Sequence, residues 1–550
     1  MTILANGLNV WASTMQTKRK GVVDRLNRKL EKLNEEERTE ETLVEIMEVK
    51  LHLNMEIDKE ERYWEQRARS NWLQLGDKNT SFFHKHASQR RRINRIRGLQ
   101  RVDGSLATNE REIEEVARSY FFDLFESRGV GDVEHILSGI NSCISDSMNL
   151  SLTTSYTETE IVEALKEMGP TKASSFDGFS AIFYQKFWHI VGKDTCEFCM
   201  EVLNHGRSLD KINRTLLVLI PKTASPIDLK NFRPISLCTV IYKIIAKVVA
   251  NRLQKVLNEC IDDSQSAFVP GRLITDNVLL AYEVLHSCKN KRSGRIRFMA
   301  LKLDMSKAYD IVEWSFVEKV MLKMGFAEDF IALILRCLNS VQFSILINGE
   351  EGLNFRGTGV LRQGDLLSPY LFLFCGEGLS ALMRLACQER KINGAKVCRA
   401  SHSITHLMFA DDCILFGEVS NRGINVLKDI LREYKECSGQ CINFEKSTVF
   451  FSSNVNEQDR NLVFQTLGVR CSDDPEKYLG LPNLVGRKKK LASQVYISQG
   501  GREVFIKAVL QAIPTYTMSC FLLPKSLCTE LENVLNSFWW NKSRGKKSMH

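Results

Sequence analysis

Residues 298–304, Phe-Met-Ala-Leu-Lys-Leu-Asp, form an apolar run that closes on an acid, as a buried strand does when its last residue emerges into solvent. A second run, Leu407-Met408-Phe409, leads into Ala410-Asp411-Asp412, and Ile414-Leu415-Phe416 leads out. That pattern predicts a strand, a tight acidic turn and a second strand. An Asp-Asp pair in a turn is by itself most often a solvated loop tip. Its weight comes from Asp304, a third acid at the end of another strand.

Three acids brought to one place have a chemical use. Two divalent cations about 3.5–4 Å apart activate an attacking oxygen and stabilise the leaving oxygen of an in-line displacement at phosphorus. Mg²⁺, or Mn²⁺ in its place, takes oxygen ligands and keeps several waters, so a few carboxylates and the substrate's phosphates suffice. Without a cation, clustered acids raise one another's pKa values. Asp304, Asp411 and Asp412 are therefore the candidate catalytic and metal-binding residues.

Other segments recur around these acids in a fixed order. They are Leu219-Ile220-Pro221-Lys222, Asn231-Phe232-Arg233-Pro234-Ile235-Ser236-Leu237, and Gln265-Ser266-Ala267-Phe268-Val269-Pro270-Gly271-Arg272. Asp304 to Asp310, Leu361-Arg362-Gln363-Gly364-Asp365, Phe409 to Asp412, Ile442 to Ser447 and Tyr478-Leu479-Gly480-Leu481-Pro482 follow. With these motifs the chain resembles the reverse transcriptases of plant non-LTR (LINE-type) retrotransposons.

The resemblance implies an α+β right-hand polymerase with fingers, an antiparallel palm sheet flanked by helices, and a partial thumb, behind a helical N-terminal arm. Domains are expected at 1–115 (charged arm), 116–202 (helical extension), 203–484 (fingers and palm) and 485–550 (partial thumb). It implies an RNA template, a DNA primer, deoxynucleoside triphosphates and two Mg²⁺ ions. Lys222 and Arg233 would lie near the triphosphate, Tyr309 under the sugar as a gate against a 2′-hydroxyl, and Gln363 and Gly364 by the template base. Lys446 would lie near the pyrophosphate, where it could protonate the leaving group. Tyr478 to Pro482 resembles the hairpin that grips the primer end.

Three departures from the family accompany the match. Leu366 stands where the family has proline, which predicts a looser loop. The join between Lys490 and Ser498 is short, as though helical turns of the thumb were missing. Neither an endonuclease domain ahead of the polymerase nor a zinc knuckle or ribonuclease H domain after Trp539-Trp540 is expected, so the copy is expected not to mobilise itself unaided. A catalytically inactive nucleic-acid-binding remnant and a maturase-like splicing factor stay open as alternatives.

Composition is consistent with a nucleic-acid partner. A net charge of +9, from 75 basic and 66 acidic residues, suits phosphate contacts. Arg91, Arg92 and Arg95 follow Trp72, Phe82 and Phe83, so charge lies near rings able to stack on bases, although a solvated basic helix reads the same way. Arg487, Lys488 and Lys489 form a second basic run suited to phosphates. Sixteen scattered cysteines, no signal peptide and no long apolar span predict a reduced, soluble, intracellular protein without membrane contact, in the nucleus or the cytoplasm. Cys196 and Cys199, in an apparent helix with no second pair, read as buried thiols rather than zinc ligands. In the N-terminal segment, Leu26, Leu30 and Leu33, then Leu43, Ile46, Met47 and Leu51, recur at helical spacing and predict an amphipathic hairpin.

Overall fold

A computed structural model describes residues 2–68, 88–291, 294, 297–396 and 403–471, with scattered positions between 515 and 533. The chain divides into two units, Met1–Arg95 with Val485–His550, and Ile96–Leu484. In the first unit, helices Thr2–Glu35 and Glu40–Ala68 form a hairpin. Leu33, Ile46 and Val49 make its small core, with Leu26 and Leu30 packed against them. Leu43, Met47 and Leu51, expected on the same stripe, are exposed.

The second unit carries twelve short strands among its described residues: β1 (Leu99–Gln100), β2 (Leu106–Ala107), β3 (Arg214–Pro221), β4 (Phe232–Cys238), β5 (Phe298–Ser306), β6 (Gln342–Ile347), β7 (Glu350–Glu351), β8 (His406–Phe409), β9 (Asp412–Glu418), β10 (Cys441–Ile442), β11 (Thr448–Phe451) and β12 (Arg470–Cys471). One sheet runs β12-β11-β5-β9-β8, with β10 also on β5. It is antiparallel except at its edge, where β12 lies parallel to β11. A second sheet runs β4-β3-β6-β7 and is mixed, because β3 pairs antiparallel with β4 and parallel with β6. Helices interleaved with mixed sheets make the unit α+β.

Strand alternation explains why the acids surface where they do. Phe298, Ala300, Lys302 and Asp304 share one face of β5, and Leu301 and Leu303 share the other. On the first face, Phe298 and Ala300 pack with Leu407, Ile414 and Phe416 against Ala281, Val284, Leu285 and Cys288 of the helix Ile274–Asn290. Each fully buried side chain of this size contributes roughly 1.5–3 kcal/mol through loss of water contact. Further along the same face the row becomes Lys302 and Asp304, so the apolar core ends where the acid begins.

Contrary to the expectation of no long apolar span, the helix Ser368–Gln388 is long and apolar enough to cross a membrane, but 78% of its most apolar stretch is buried inside the protein. By residue type Ser368 is a natural cap for it. The structure instead makes Ser368 the first helical residue, behind Leu367, with its hydroxyl buried and without a hydrogen-bond partner. Cys196 and Cys199 are both buried in the helix Trp188–His205. Every cysteine among the described residues is a free thiol.

Candidate active site

Asp304 and Asp412 are direct partners in the pairing of β5 with β9. Residues so opposed lie about 4.5–5.5 Å apart at Cα and project from the same face. Asp411 shares with Ala410 the two-residue turn between β8 and β9, which closes on the pair Phe409 and Asp412. Ala410 takes φ +55°, a left-handed value that a non-glycine residue adopts at a cost. Burial raises the Asp412 carboxyl above the usual range, Lys302 opposes the rise from 3.8 Å, and the charges of Asp411 and Asp304 add to it. Asp304 and Asp411 thus both act on Asp412.

The donor set fits a hard divalent cation that keeps much of its own water. Among the described residues no three His, Cys, Asp or Glu side chains close into a ready-made ion cage. Mg²⁺ does not need one, because one or two carboxylates and substrate phosphates complete its shell.

The turn bearing Asp411 is held from outside the hairpin. The side-chain carbonyl of the buried Gln265 accepts the backbone N–H of Ala410 and of Ala267, each at 3.0 Å. The backbone N–H of Met408 donates to Ser264 at 2.8 Å, and that of Ser266 donates to the Met408 carbonyl at 3.1 Å. Asn277 reaches the same carbonyl at 3.0 Å. Arg272, basic and within a recurring motif, donates to the carbonyls of Ile261, Asp262 and Gln265 and so shapes this segment from within. The sequence alone assigns Gln265 no role. Its motif is visible there, but its partner lies 145 residues away.

Asp304 is gripped by a different turn. Its carbonyl accepts the Asn443 N–H at 2.9 Å and its N–H donates to Ser447 Oγ at 3.1 Å. Lys446 stands exposed on that turn, one residue before the serine. Tyr309 stacks on Phe372 with ring centroids 4.8 Å apart, and its carbonyl accepts the Leu361 N–H at 2.8 Å. Burial raises the Tyr309 hydroxyl pKa, and the Asp411 charge raises it further.

The loop through Gln363 and Gly364 is anchored by its flanking residues. Arg362 and Asp365 form a buried ion pair. The Arg362 guanidinium also donates to Thr215 Oγ1 at 3.0 Å and lies over the Tyr242 ring, while the Tyr242 hydroxyl donates to Asp365 at 2.8 Å. Asp365 also accepts the Leu367 N–H at 3.0 Å. These bonds tighten the loop without a proline, so the looseness expected from Leu366 is not found. Gly364 has φ +113°, and a Cβ there would stand 2.8 Å from the Ser236 carbonyl oxygen. Gln363 is half-buried above this lock, and its carbonyl accepts the Ser236 N–H at 2.9 Å.

Lys222 follows β3, with its ammonium 3.1 Å from the Lys230 carbonyl. Arg233 is exposed on β4, paired with Ile220. Lys222 is near enough to influence Lys307 and Asp310, in the turn after β5, whereas no contact ties Arg233 to the acids. Arg91 and Arg92 lie on a helical stretch over 88–94, and Arg95 just beyond it, all exposed in the first unit. Tyr478 to Pro482, Arg487, Lys488, Lys489, and Trp72, Phe82 and Phe83 lie outside the described residues.

Residues 220–482 match the family model described as reverse transcriptase (RNA-dependent DNA polymerase). The chain is 26% identical over 496 residues to the transposon TX1 uncharacterized 149 kDa protein of Xenopus laevis, covering 86% of this chain and 37% of that protein. It is 30% identical over 274 residues to the retrovirus-related Pol polyprotein from the type-2 retrotransposable element R2DM of Drosophila melanogaster, covering 48% of this chain and 24% of the polyprotein. An uncharacterized mitochondrial protein of Arabidopsis thaliana is 50% identical over 68 residues, 12% of this chain and 55% of its own length. The chain therefore spans well under half of the first two relatives.

Proposed function

We propose that this chain is the RNA-directed DNA polymerase of a non-LTR retrotransposon, of plant type. A single observation carries the reading: Asp304 stands opposite Asp412 with Asp411 in the adjoining turn, inside the stretch that matches reverse transcriptases. On this reading the acid-bearing sheet is the palm, the β3–β4 sheet belongs to the fingers, and a primer 3′-hydroxyl attacks the α-phosphate of a deoxynucleoside triphosphate. Asp304, Asp411 and Asp412 are the residues that would hold two Mg²⁺ or Mn²⁺ ions. Bound there, such ions activate the attacking oxygen and neutralise charge on the leaving one.

The remaining residues position and compensate charge. Tyr309, braced on Phe372, presents a ring that leaves no room for a 2′-hydroxyl. Gln363 and Gly364 support the template base from a loop fixed by Arg362 and Asp365. Lys222 and Arg233 offset phosphate charge, and Lys446 offers a proton to the pyrophosphate. Arg91, Arg92, Arg95 and the run at Arg487, Lys488 and Lys489 contact nucleic-acid phosphates.

Primer extension on an RNA template with Mg²⁺ tests the proposal. Product from the wild type and none from Asp411→Ala is the expected pair of results. Template binding by the wild type without any product would support a remnant instead.

A further inference from the structure

We infer that Lys307 binds the polyphosphate tail of the incoming nucleotide, and that Tyr120, from the helix Glu110–Phe125 upstream of the matched region, is its positioning residue. The inference rests on the polymerase reading above. Lys307 is in the turn after β5, three residues beyond Asp304 and two before Tyr309, and takes φ +53°. Its ammonium donates to the Tyr120 hydroxyl and lies 4.3 Å from the centre of the Tyr120 ring. Among the described residues no carboxylate comes within ion-pair distance of it.

The surroundings of Lys307 suit a bound anion. Asp310, on the same turn, is buried, and Asp228 stands in the β3–β4 connection. Lys222 and Lys230 of that connection add two like charges. Burial, with these two lysines, pushes the Lys307 ammonium down to about 8, against the pull of Asp310 and Asp228. A half-buried cation held by one hydroxyl and one ring face, with two like charges near it and no carboxylate among the described residues within ion-pair distance, gains from a further anion. An ammonium has three donors, and Tyr120 takes one. The remaining two, close to Lys222 and on the turn that follows Asp304, suit phosphate oxygens of a triphosphate. A rigid ring from the upstream helix holds the flexible lysine stem in that direction before substrate arrives.

The test is calorimetric titration of the full chain with inorganic tripolyphosphate, beside the KM for deoxynucleoside triphosphate in primer extension. Lys307→Gln is expected to weaken tripolyphosphate binding and raise KM by about tenfold or more, as loss of a charged hydrogen bond does. Lys307→Arg should restore both and keep binding at about pH 9.5, where the wild-type lysine has lost its proton. Tyr120→Phe keeps the ring but removes the acceptor, so its binding should fall off at lower pH than in the wild type. Unchanged tripolyphosphate affinity and KM in Lys307→Gln, with primer extension intact, would overturn this inference alone. A wild type that neither binds tripolyphosphate nor extends a primer would overturn the polymerase reading with it.

Discussion

The buried side chain of Gln265 holds the backbone N–H of Ala410 at 3.0 Å, one residue ahead of Asp411. A hairpin turn with a non-glycine residue at positive φ is strained, and this bond offsets part of that cost. Gln265→Leu leaves the Ala410 and Ala267 donors without their acceptor. We expect a loss of about 1–3 kcal/mol in urea denaturation, the usual penalty for an orphaned buried donor. Primer extension should fall with it, because Asp411 no longer has a fixed turn to stand on.

Asp411 has little to do with stability, being exposed at the tip of its hairpin. Asp411→Asn should leave thermal unfolding within about 0.5 kcal/mol of the wild type, as surface changes do. Extension should drop by about 100-fold or more, the scale seen when a key electrostatic stabiliser is removed. Filter binding of a primer–template should be unchanged. Extension near the wild-type rate would refute the assignment of Asp411.

Gly364 is irreplaceable for two independent reasons, its φ of +113° and the 2.8 Å approach any Cβ would make to Ser236 O. The approach cannot be relieved by a side-chain swing, since the contact is backbone. Gly364→Ala should destabilise by about 1–3 kcal/mol through strain at that φ, read as a lowered urea midpoint. Leu366→Pro, by contrast, tests whether the loop still has slack; a loop already fixed by Arg362 and Asp365 should gain little.

Arg362 and Asp365 are a pair buried almost completely. Asp365→Ala leaves a guanidinium without its counter-charge, at a cost of about 3–5 kcal/mol. Arg362→Met with Asp365→Leu should recover most of it, because no buried charge then remains. A chemical-denaturation double-mutant cycle measures the difference, and equal losses in the single and double variants would contradict the ion-pair account.

His406 gives β8 a defined response to acid. Burial pushes its imidazole down from 6.5 to about 4, with Asp262 opposing and Arg384 reinforcing the fall, while Ser264 and Ser380 hydrogen-bond Nε2 at 2.7 and 3.0 Å. The unfolded chain takes up the proton first, so this contribution is present above pH 6.5 and is lost as pH falls toward 4. The loss is at most roughly 3.5 kcal/mol, because each tenfold change in proton affinity is worth about 1.4 kcal/mol. His406→Gln should flatten the stability profile across that window, as measured by urea midpoints at successive pH values.

Local pattern was enough to find the elements that carry the acids. The apolar run expected at 298–304 lies in β5, and Leu407 to Phe416 forms the hairpin β8–β9. Each depends on neighbours within a few residues. Gln265 with Ala410, Tyr120 with Lys307, and Arg362 with Thr215 are contacts across 145, 187 and 147 residues. No periodicity encodes such pairings. They arise when separate elements pack. Ser368 shows the same limit at short range, because a good capping residue type stands inside the helix and caps nothing.

Strand β5 is flanked by β9 on one side and by β10 and β11 on the other. A single-codon insertion or deletion inside Phe298–Leu303 would turn Leu303 outward and drive Asp304 into the apolar interior. Evolution of this segment is therefore confined to exchanging side chains of like character, and length variation among descendants of the chain belongs in its connections.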